Sequence, residues 1–133
     1  MISCLSPKWI LYIDDSTDNC ELVKFILTDA GYKVETVQKG TQALEMAKSG
    51  NFQLFIIDLY LSDVSGFELI KEIRALDRFT PIVVCSGDVR QSVQDEVMGI
   101  GVQAFLEKPL EPDLLTRTID EILSHHRLLN CVC

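Results

Sequence analysis

The sequence predicts an α/β fold with a doubly wound, five-stranded parallel sheet. Five short apolar runs alternate with five segments in which apolar residues recur every three or four positions, the patterns of buried strands and amphipathic helices. The clearest run has four large apolar residues at 54–57 followed by Asp58, which is typical of a central strand buried on both faces. With 133 residues the chain can bury one core, so we expect a single domain over residues 1–133.

The first strand and first helix are predicted over roughly the first thirty residues. Residues 9–13 form an apolar run that ends at two acids. Ser16 or Thr17 can cap the helix that follows, and Gly31 supplies the left-handed residue that ends it. The apolar positions of this helix are Leu22, Val23, Ile26, Leu27 and Ala30.

The second helix is predicted between the second and third strands in the sequence. Residues 33–37 alternate as in a short strand, and residues 40–49 carry a helical apolar face before Gly50. The third strand covers residues 54–58, and its last residue is an acid that a buried strand would not carry without a reason.

The third helix and fourth strand follow a polar loop. The helix has apolar positions at Phe67, Ile70 and Ile73 and should end before Phe79, because Pro81 disfavours helix just ahead of it. Residues 82–85 then form a buried strand that finishes at Ser86, Gly87 and Asp88.

The last two helices and the fifth strand have patterns of different strength. A fourth helix has a narrow apolar stripe, broken by Gly99 and Gly101; the stripe is Val89, Val93, Val97 and Ile100. Residues 102–106 form the last strand, Lys108 and Pro109 form a turn, and the final helix has Pro112 in its first turn. The inner face of that helix is Leu115, Ile119 and Ile122.

Charge and composition exclude several classes of function. The chain has 20 acidic and 12 basic residues and a net charge of −8. This charge argues against a surface that binds nucleic acid. No apolar run is long enough to cross a bilayer or to serve as a signal-peptide core, so we expect a cytoplasmic protein without membrane contact. The glycine-rich phosphate loops of nucleotide-binding proteins are not found.

The five cysteines have no disulfide-framework spacing, and we expect reduced thiols. Cys20 and Cys85 fall inside predicted core elements, whereas Cys4 lies ahead of the first strand. The tail holds His125, His126, Cys131 and Cys133. Because this spacing matches no standard zinc pattern, we favour a frayed helix end over a metal site there.

Polar residues follow four of the five predicted strands: Asp14, Asp15, Asp58, Ser86 and Lys108. Because parallel strands have their carboxyl ends at the same edge of the sheet, we expect these side chains to lie together. Three neighbouring carboxylates repel one another unless a cation lies among them, and an all-oxygen set suits a hard divalent ion such as Mg²⁺.

A carboxylate beside a divalent ion and an ammonium group is suited to in-line attack on a phosphoryl group. Asp58 would be the nucleophile, and Lys108 would neutralise charge on the phosphoryl oxygens. Ser86 can donate a hydrogen bond to a phosphoryl oxygen, and Gly87 leaves room beside it. The product would be an aspartyl phosphate.

Two other classes of function remain open on this reasoning. The first is a binding module that is never phosphorylated. The second is an enzyme on a similar sheet, either a phosphatase with an aspartyl nucleophile or a flavin-binding electron carrier. The phosphatase would need an acid where this chain has Tyr60, and the flavin protein would need a phosphate-binding loop where this chain has Asp14 and Asp15.

From Trp9 to about His125 the chain resembles the receiver domain of bacterial two-component response regulators. The residues that carry this resemblance are the acidic pair Asp14-Asp15, the phosphoacceptor Asp58, the hydroxyl switch residue Ser86, the switch aromatic Phe105 and the Lys108-Pro109 step. The resemblance implies a flavodoxin-like sheet with strand order 2-1-3-4-5. It also implies a signalling switch rather than an enzyme with its own substrate.

The resemblance also implies a set of metal ligands for Mg²⁺ or Mn²⁺. Asp15 and Asp58 would bind the ion directly, Asp14 through water, and Tyr60 through its main-chain carbonyl. The bond between Lys108 and Pro109 is expected to be cis, an isomer that X-Pro bonds adopt at low cost.

The implied partners are proteins. A histidine kinase or histidine phosphotransfer protein would supply the phosphoryl group, and phosphorylation would alter the surface of the fourth helix, fifth strand and fifth helix for a downstream target. That surface includes Phe105 and the helix positions Arg90, Gln91, Gln94, Asp95 and Met98. We expect a switch that stands alone, as a monomer or a phosphorylation-dependent dimer.

The loop after the phosphoacceptor departs from the family's usual pattern. Leu61 and Ser62 stand where Met-Pro is common, and Tyr60 is bulkier than usual. We hypothesise that Tyr60 shields the acyl phosphate from water and slows its hydrolysis. Asp88 could act in the opposite direction by orienting an attacking water.

Overall fold

All ten predicted elements are present in the computed structural model, which describes residues 7–130 and the side chains as far as His125. Strands and helices alternate along the chain. They are β1 (Trp9–Ile13), α1 (Thr17–Asp29), β2 (Lys33–Val37), α2 (Gly40–Ala47), β3 (Leu54–Asp58), α3 (Gly66–Leu76), β4 (Ile82–Ser86), α4 (Gln91–Ile100), β5 (Ala104–Glu107) and α5 (Pro112–Asn130).

The strands form one parallel sheet in the order β2-β1-β3-β4-β5, so the predicted flavodoxin-like architecture is confirmed. β3 lies at the centre, and all five of its residues are buried. Asp58 is opposite Cys85, the residue before Ser86, in the β3–β4 register. The carboxyl ends of β1, β3, β4 and β5 therefore meet at one edge of the sheet.

The helices cover both faces of the sheet, and each face has its own core. On one face α1 and α5 pack over residues such as Tyr12, Ile56 and Val83. On the other face α2, α3 and α4 pack over residues such as Leu11, Phe55 and Ile57. Each central strand therefore places alternate side chains in the two cores, which holds its carboxyl end rigidly in place.

The amino-terminal edge of the sheet carries the chain's one tryptophan. Trp9 is the first residue of β1 and is 36% exposed. Its backbone N–H donates to the Oε1 of Gln53, 2.7 Å away. Trp9 thus lies at the amino-terminal end of β1, whereas Asp14 follows the carboxyl end of the same strand.

Several predictions within the helices were wrong. Val89 is exposed and lies outside α4, while Gly99 lies inside α4 and does not break it. Leu22 is exposed on α1, where Cys20 takes the buried position. These predictions came from the residue pattern alone, whereas packing against the sheet determines which positions are buried and where a helix ends.

Boundaries also shifted by one or two residues. α2 ends at Ala47 rather than residue 49, and β5 covers Ala104–Glu107 rather than 102–106. In α5 Ile122 is half-buried, and Leu123 is the more buried position. Of the two predicted caps of α1, Ser16 or Thr17, the structure has Ser16, whose side chain accepts from the backbone N–H of Asn19.

Cys20 and Cys85 are buried free thiols, as predicted. Burial raises the pKa of Cys85 to about 12, so this thiol stays protonated at neutral pH. Cys4, Cys131 and Cys133 lie outside the described residues, as does the side chain of His126. The predicted frayed tail therefore stays a prediction.

Candidate functional site

Three charged side chains meet at the carboxyl edge of the sheet. The Lys108 ammonium nitrogen lies 2.6 Å from Oδ2 of Asp14 and 3.2 Å from Oδ2 of Asp58. Both carboxylates are buried, at 1% and 7% exposure. One lysine thus bridges the ends of β1 and β3 from the loop after β5.

Asp14 is held by a dense set of donors. Its Oδ2 accepts from the Tyr12 hydroxyl at 2.7 Å and the Asn19 amide at 3.1 Å, and its Oδ1 accepts from the Ser16 backbone N–H at 2.9 Å. Burial raises the pKa of Asp14, but hydrogen bonds from Lys108, Tyr12 and Ser16 more than offset burial and lower it overall. Asp14 is therefore a fixed, ionised carboxylate.

Asp58 has fewer donors. Its Oδ1 accepts only a long hydrogen bond of 3.3 Å from the Tyr60 backbone N–H, besides the contact of Oδ2 with Lys108. Burial raises the pKa of Asp58, Lys108 opposes this rise, and the nearby charge of Asp14 adds to it. The oxygens of Asp58 are less occupied than those of Asp14, so they are the ones free to react or to bind a ligand.

A third carboxylate, that of Asp15, completes an oxygen cluster. Asp14, Asp15 and Asp58 each offer one carboxylate oxygen, and these oxygens lie within 4.8 Å of one another. Asp15 is exposed. Three convergent carboxylates with one neighbouring ammonium leave an excess of negative charge, which fits a hard divalent cation.

Ser86 lies at the end of β4 and is fully buried. Its hydroxyl oxygen accepts from the Asp88 backbone N–H at 3.0 Å, and its carbonyl accepts from the Lys108 backbone N–H at 2.9 Å. The second bond ties the β4 end to the loop that carries Lys108. The peptide bond between Lys108 and Pro109 is cis, as expected.

Phe105 lies one strand further out, on β5. It is half-buried against the core under α2, α3 and α4 and is opposite Val84 in the register. Phe105 therefore packs on the same side of the sheet as Val93 and Val97 of α4.

A polar cluster that sequence reasoning had only partly identified borders the site. The Tyr60 hydroxyl donates to Oδ2 of Asp88, and Arg90 donates to both oxygens of Asp88 at 2.9 and 2.6 Å. The sequence indicated Tyr60 and Asp88 separately, but it assigned Arg90 to the exposed face of α4. Arg90 instead occupies the position just before α4 and makes no side-chain cap hydrogen bond. Through the Tyr60–Asp88 bond, the cluster joins the loops after β3 and β4.

The chain matches the family model of the response regulator receiver domain over residues 10–120. It belongs to that family. Among its relatives, the transcriptional regulatory protein ZraR of Klebsiella oxytoca is 31% identical over 119 residues, which are 90% of this chain and 27% of ZraR. The autoinducer 2 sensor kinase/phosphatase LuxQ of Vibrio vulnificus is 31% identical over 118 residues, which are 88% of this chain and 14% of LuxQ.

Solved receiver structures have the same fold. A CheY-like response regulator receiver domain from Methanospirillum hungatei has a TM-score of 0.87 at 28% identity, covering 91% of this chain and 97% of that one. The receiver domain of sensor histidine kinase PA1611 from Pseudomonas aeruginosa has a TM-score of 0.82 at 25% identity, covering 90% and 99%. That structure has a magnesium ion coordinated in its active-site cleft.

The receiver domain matches only part of its curated relatives. It spans about a quarter of the length of ZraR and a smaller share of LuxQ. Within the described part of the chain, no helix is long and apolar enough to cross a membrane.

Proposed function

We propose that this receiver domain is the phosphoacceptor switch of a two-component phosphorelay and that Asp58 is the residue phosphorylated. The observation that carries this proposal is the contact of Lys108 with the two buried carboxylates of Asp14 and Asp58 at the carboxyl edge of the sheet. Asp58 is the member whose oxygens accept the fewest hydrogen bonds, so it is the nucleophile.

The donor would be a phosphohistidine on a kinase or phosphotransfer protein. A carboxylate oxygen of Asp58 attacks phosphorus in line, the P–N bond breaks, and its electron pair stays on the imidazole, which takes up a proton. Lys108 shifts from carboxylate to phosphoryl oxygen, and the Ser86 hydroxyl donates to a second phosphoryl oxygen. Asp14 remains ionised and keeps the Lys108 ammonium at the site.

The acidic cluster would bind Mg²⁺ or Mn²⁺. Asp15 and Asp58 would be direct ligands, with the Tyr60 carbonyl as a further ligand and Asp14 acting through water. The ion would supply positive charge against the phosphoryl oxygens as they approach the carboxylates. The magnesium ion in the PA1611 receiver and the three convergent oxygens here support this assignment.

The output would pass through the surface formed by α4, β5 and α5. Phosphorylation would draw Ser86 toward the phosphoryl group and let Phe105 turn inward, which changes that surface for a downstream protein. Exposed apolar residues on it support a docking role, namely Met98 on α4 and Leu114 on α5. We propose that residues 1–133 act as one cytoplasmic receiver domain, either as a monomer or as a dimer formed on phosphorylation.

The direct test is incubation with Mg²⁺ and acetyl phosphate, followed by mass measurement of the intact chain. Wild type should gain one phosphoryl group, and Asp58→Ala should gain none. Asp77→Ala is the matched control, because this aspartate lies after α3 and away from the cluster, and it should be phosphorylated like wild type. If wild type gains no mass, the domain is a binding module that is not phosphorylated.

Tyr60 is placed to set the lifetime of the aspartyl phosphate. Hydrolysis requires a water to attack phosphorus, which breaks the P–O bond, returns the Asp58 carboxylate and releases inorganic phosphate and a proton. The Tyr60 backbone N–H donates to Asp58, and the Tyr60 hydroxyl is bonded to Asp88, whose oxygens are also engaged by Arg90. An engaged Asp88 is poorly placed to orient water, so shielding by Tyr60 is the stronger effect.

We therefore predict that Tyr60→Asn shortens the phosphate lifetime severalfold, while Tyr60→Phe, which keeps the ring, shortens it less. Decay of the phosphorylated mass after removal of acetyl phosphate measures both. Equal lifetimes in wild type and Tyr60→Asn would contradict shielding. A longer lifetime in Asp88→Asn would instead assign Asp88 to water activation.

A further inference from the structure

The loop from Leu59 to Ser65 must hold one backbone group beside Asp58. The Tyr60 N–H donates to Asp58 Oδ1, and the proposed metal site uses the carbonyl of the same residue. The base of the loop is closed by a bridge between Tyr60 and Ser65 and by a 2.8 Å bond from the Gly66 N–H to the Leu59 carbonyl. The tip, residues 61–64, lacks the proline that would stiffen it.

Asp63 attaches the tip of this loop to α2. Its carboxylate accepts from the Gly40 N–H at 2.9 Å, the Thr41 N–H at 3.1 Å and the Thr41 hydroxyl at 3.0 Å. Lys39, the residue before α2, makes no side-chain cap. The helix start is thus capped by a residue 22 positions or more away in sequence, and the same bonds fix the loop.

Packing beside Asp63 reinforces the attachment. A Cβ atom added at Gly40 would lie 2.2 Å from a methyl carbon of Val64, so the loop rests directly on the backbone of α2. Leu61 also packs against the core under α2 and α3. The tip is therefore held by one carboxylate and two apolar contacts.

We propose that Asp63 is a positioning residue for the phosphorylation site: by tying the loop to α2, it holds the Tyr60 backbone at the distance from Asp58 that the metal needs. Asp63 itself does not touch the metal or the phosphoryl group. This inference rests on the proposed function, because it assigns Asp63 a role in that reaction. It also explains how the loop keeps its shape without a proline.

Asp77 provides a matched control for the contacts that Asp63 makes. Its carboxylate also accepts from two backbone N–H groups and a threonine hydroxyl, those of Phe79 and Thr80. Asp77 lies after α3, near the amino-terminal ends of the strands. Asp63→Ala and Asp77→Ala therefore remove the same kind of local bonds, but only the first is next to the site.

The experiment compares these two variants with wild type in three measurements. Amide hydrogen exchange at Tyr60 in magnesium-free protein should be about tenfold faster in Asp63→Ala and unchanged in Asp77→Ala. Magnesium affinity by calorimetry should fall about tenfold in Asp63→Ala only, the low end of what residues orienting metal ligands contribute. The rate of phosphorylation by acetyl phosphate should be lower in Asp63→Ala than in wild type. This loss should be smaller at saturating Mg²⁺ than at low Mg²⁺.

Equal exchange and equal magnesium affinity in the two variants would overturn the positioning role. If wild type itself neither binds Mg²⁺ nor gains a phosphoryl group, the proposed function fails instead, and exchange at Tyr60 still tests whether Asp63 holds the loop. Should Asp63→Ala not fold, Thr41→Val removes one of the three bonds and should shift each measurement in the same direction by a smaller factor. Unchanged values in that variant would count against the proposal.

Discussion

Asp14 and Asp58 are the same residue type at the ends of neighbouring strands, yet their carboxyl groups are held in different ways. Asp14 accepts hydrogen bonds from four described residues, and three of these donors, Lys108, Tyr12 and Ser16, lower its pKa despite burial. Asp58 accepts a long bond and a lysine contact, and burial raises its pKa. Ionisation of Asp58 therefore lowers the stability of the folded protein, which agrees with the reactive role proposed for this carboxylate.

In a magnesium-free buffer with EDTA, we predict that Asp58→Asn raises the free energy of unfolding by roughly 1 kcal/mol at neutral pH, the usual scale of a point substitution. The amide removes a buried charge beside Asp14, and its one oxygen can still accept from either Lys108 or the Tyr60 N–H. Urea denaturation of both proteins measures the difference. A variant less stable than wild type would show that the Asp58–Lys108 ion pair outweighs the cost of burial.

The advantage of Asp58→Asn should also depend on pH. Since the pKa of Asp58 is raised in the folded state, wild type loses stability relative to the variant as pH rises from the unfolded value of 3.8 through the folded value. The difference in free energy of unfolding between Asp58→Asn and wild type should thus be smallest at about pH 4 and below, and it should level off above the folded pKa. A difference that shrinks as pH rises would contradict the direction assigned to Asp58.

Sequence reasoning found some site residues and missed others for a physical reason. Asp58 and Ser86 follow apolar runs, and the parallel topology then brings them together, so a pattern in the sequence exists for each. Asp63 acts through hydrogen bonds from its loop to the start of α2, and Arg90 through hydrogen bonds to Asp88 within one loop; neither leaves a periodic pattern in the sequence. A carboxylate 22 residues from its partner can be recognised only once the fold is known.

At the scale of elements, α4 is the helix whose sequence was least informative. Two glycines in its last turns suggested an early end, but only Gly101 ends the helix, with a backbone φ of 105°. Gly99 has ordinary helical geometry, and in the described part of the chain no atom beyond its own turn of helix lies within 4 Å of a Cβ added there. The two glycines therefore differ in what they require of the backbone.

We predict that Gly99→Ala stabilises the domain by about 0.5–1 kcal/mol, since alanine is the better helix former and meets no neighbour. Gly101→Ala should destabilise it by about 1–2 kcal/mol, because alanine is strained in the left-handed region. Thermal or urea unfolding measures both. Destabilisation by Gly99→Ala would mean that α4 needs this glycine for something other than helix formation.

At the scale of the whole molecule, the parallel order of the strands determines where the chemistry can lie. Five strands pointing the same way place the ends of β1, β3, β4 and β5 at one edge, and two separate cores hold those ends from both sides. The alternation of strand and helix patterns was enough to predict this arrangement. The sheet therefore converts positions 14, 58, 86 and 108, which are distant in sequence, into one site.

Magnesium should stabilise the whole domain if the acidic cluster binds it. At a concentration about 100-fold above its dissociation constant, a ligand specific to the folded state adds about 2.7 kcal/mol, which corresponds to several degrees in Tm. Wild type should show this rise in circular dichroism melts, and Asp15→Asn should show a smaller one. The same rise in a triple variant of Asp14, Asp15 and Asp58 would place the magnesium elsewhere.

Trp9 separates two kinds of signal in these experiments. It is the chain's one tryptophan, and the five residues of β1 put it roughly 17 Å from Asp14 at the other end of the strand. Its fluorescence should follow unfolding of the sheet but stay nearly constant when Mg²⁺ or a phosphoryl group reaches the site. Trp9 is thus an internal fluorescent probe of folding. In a single sample, its emission distinguishes a folded variant that binds magnesium weakly from a variant that is unfolded.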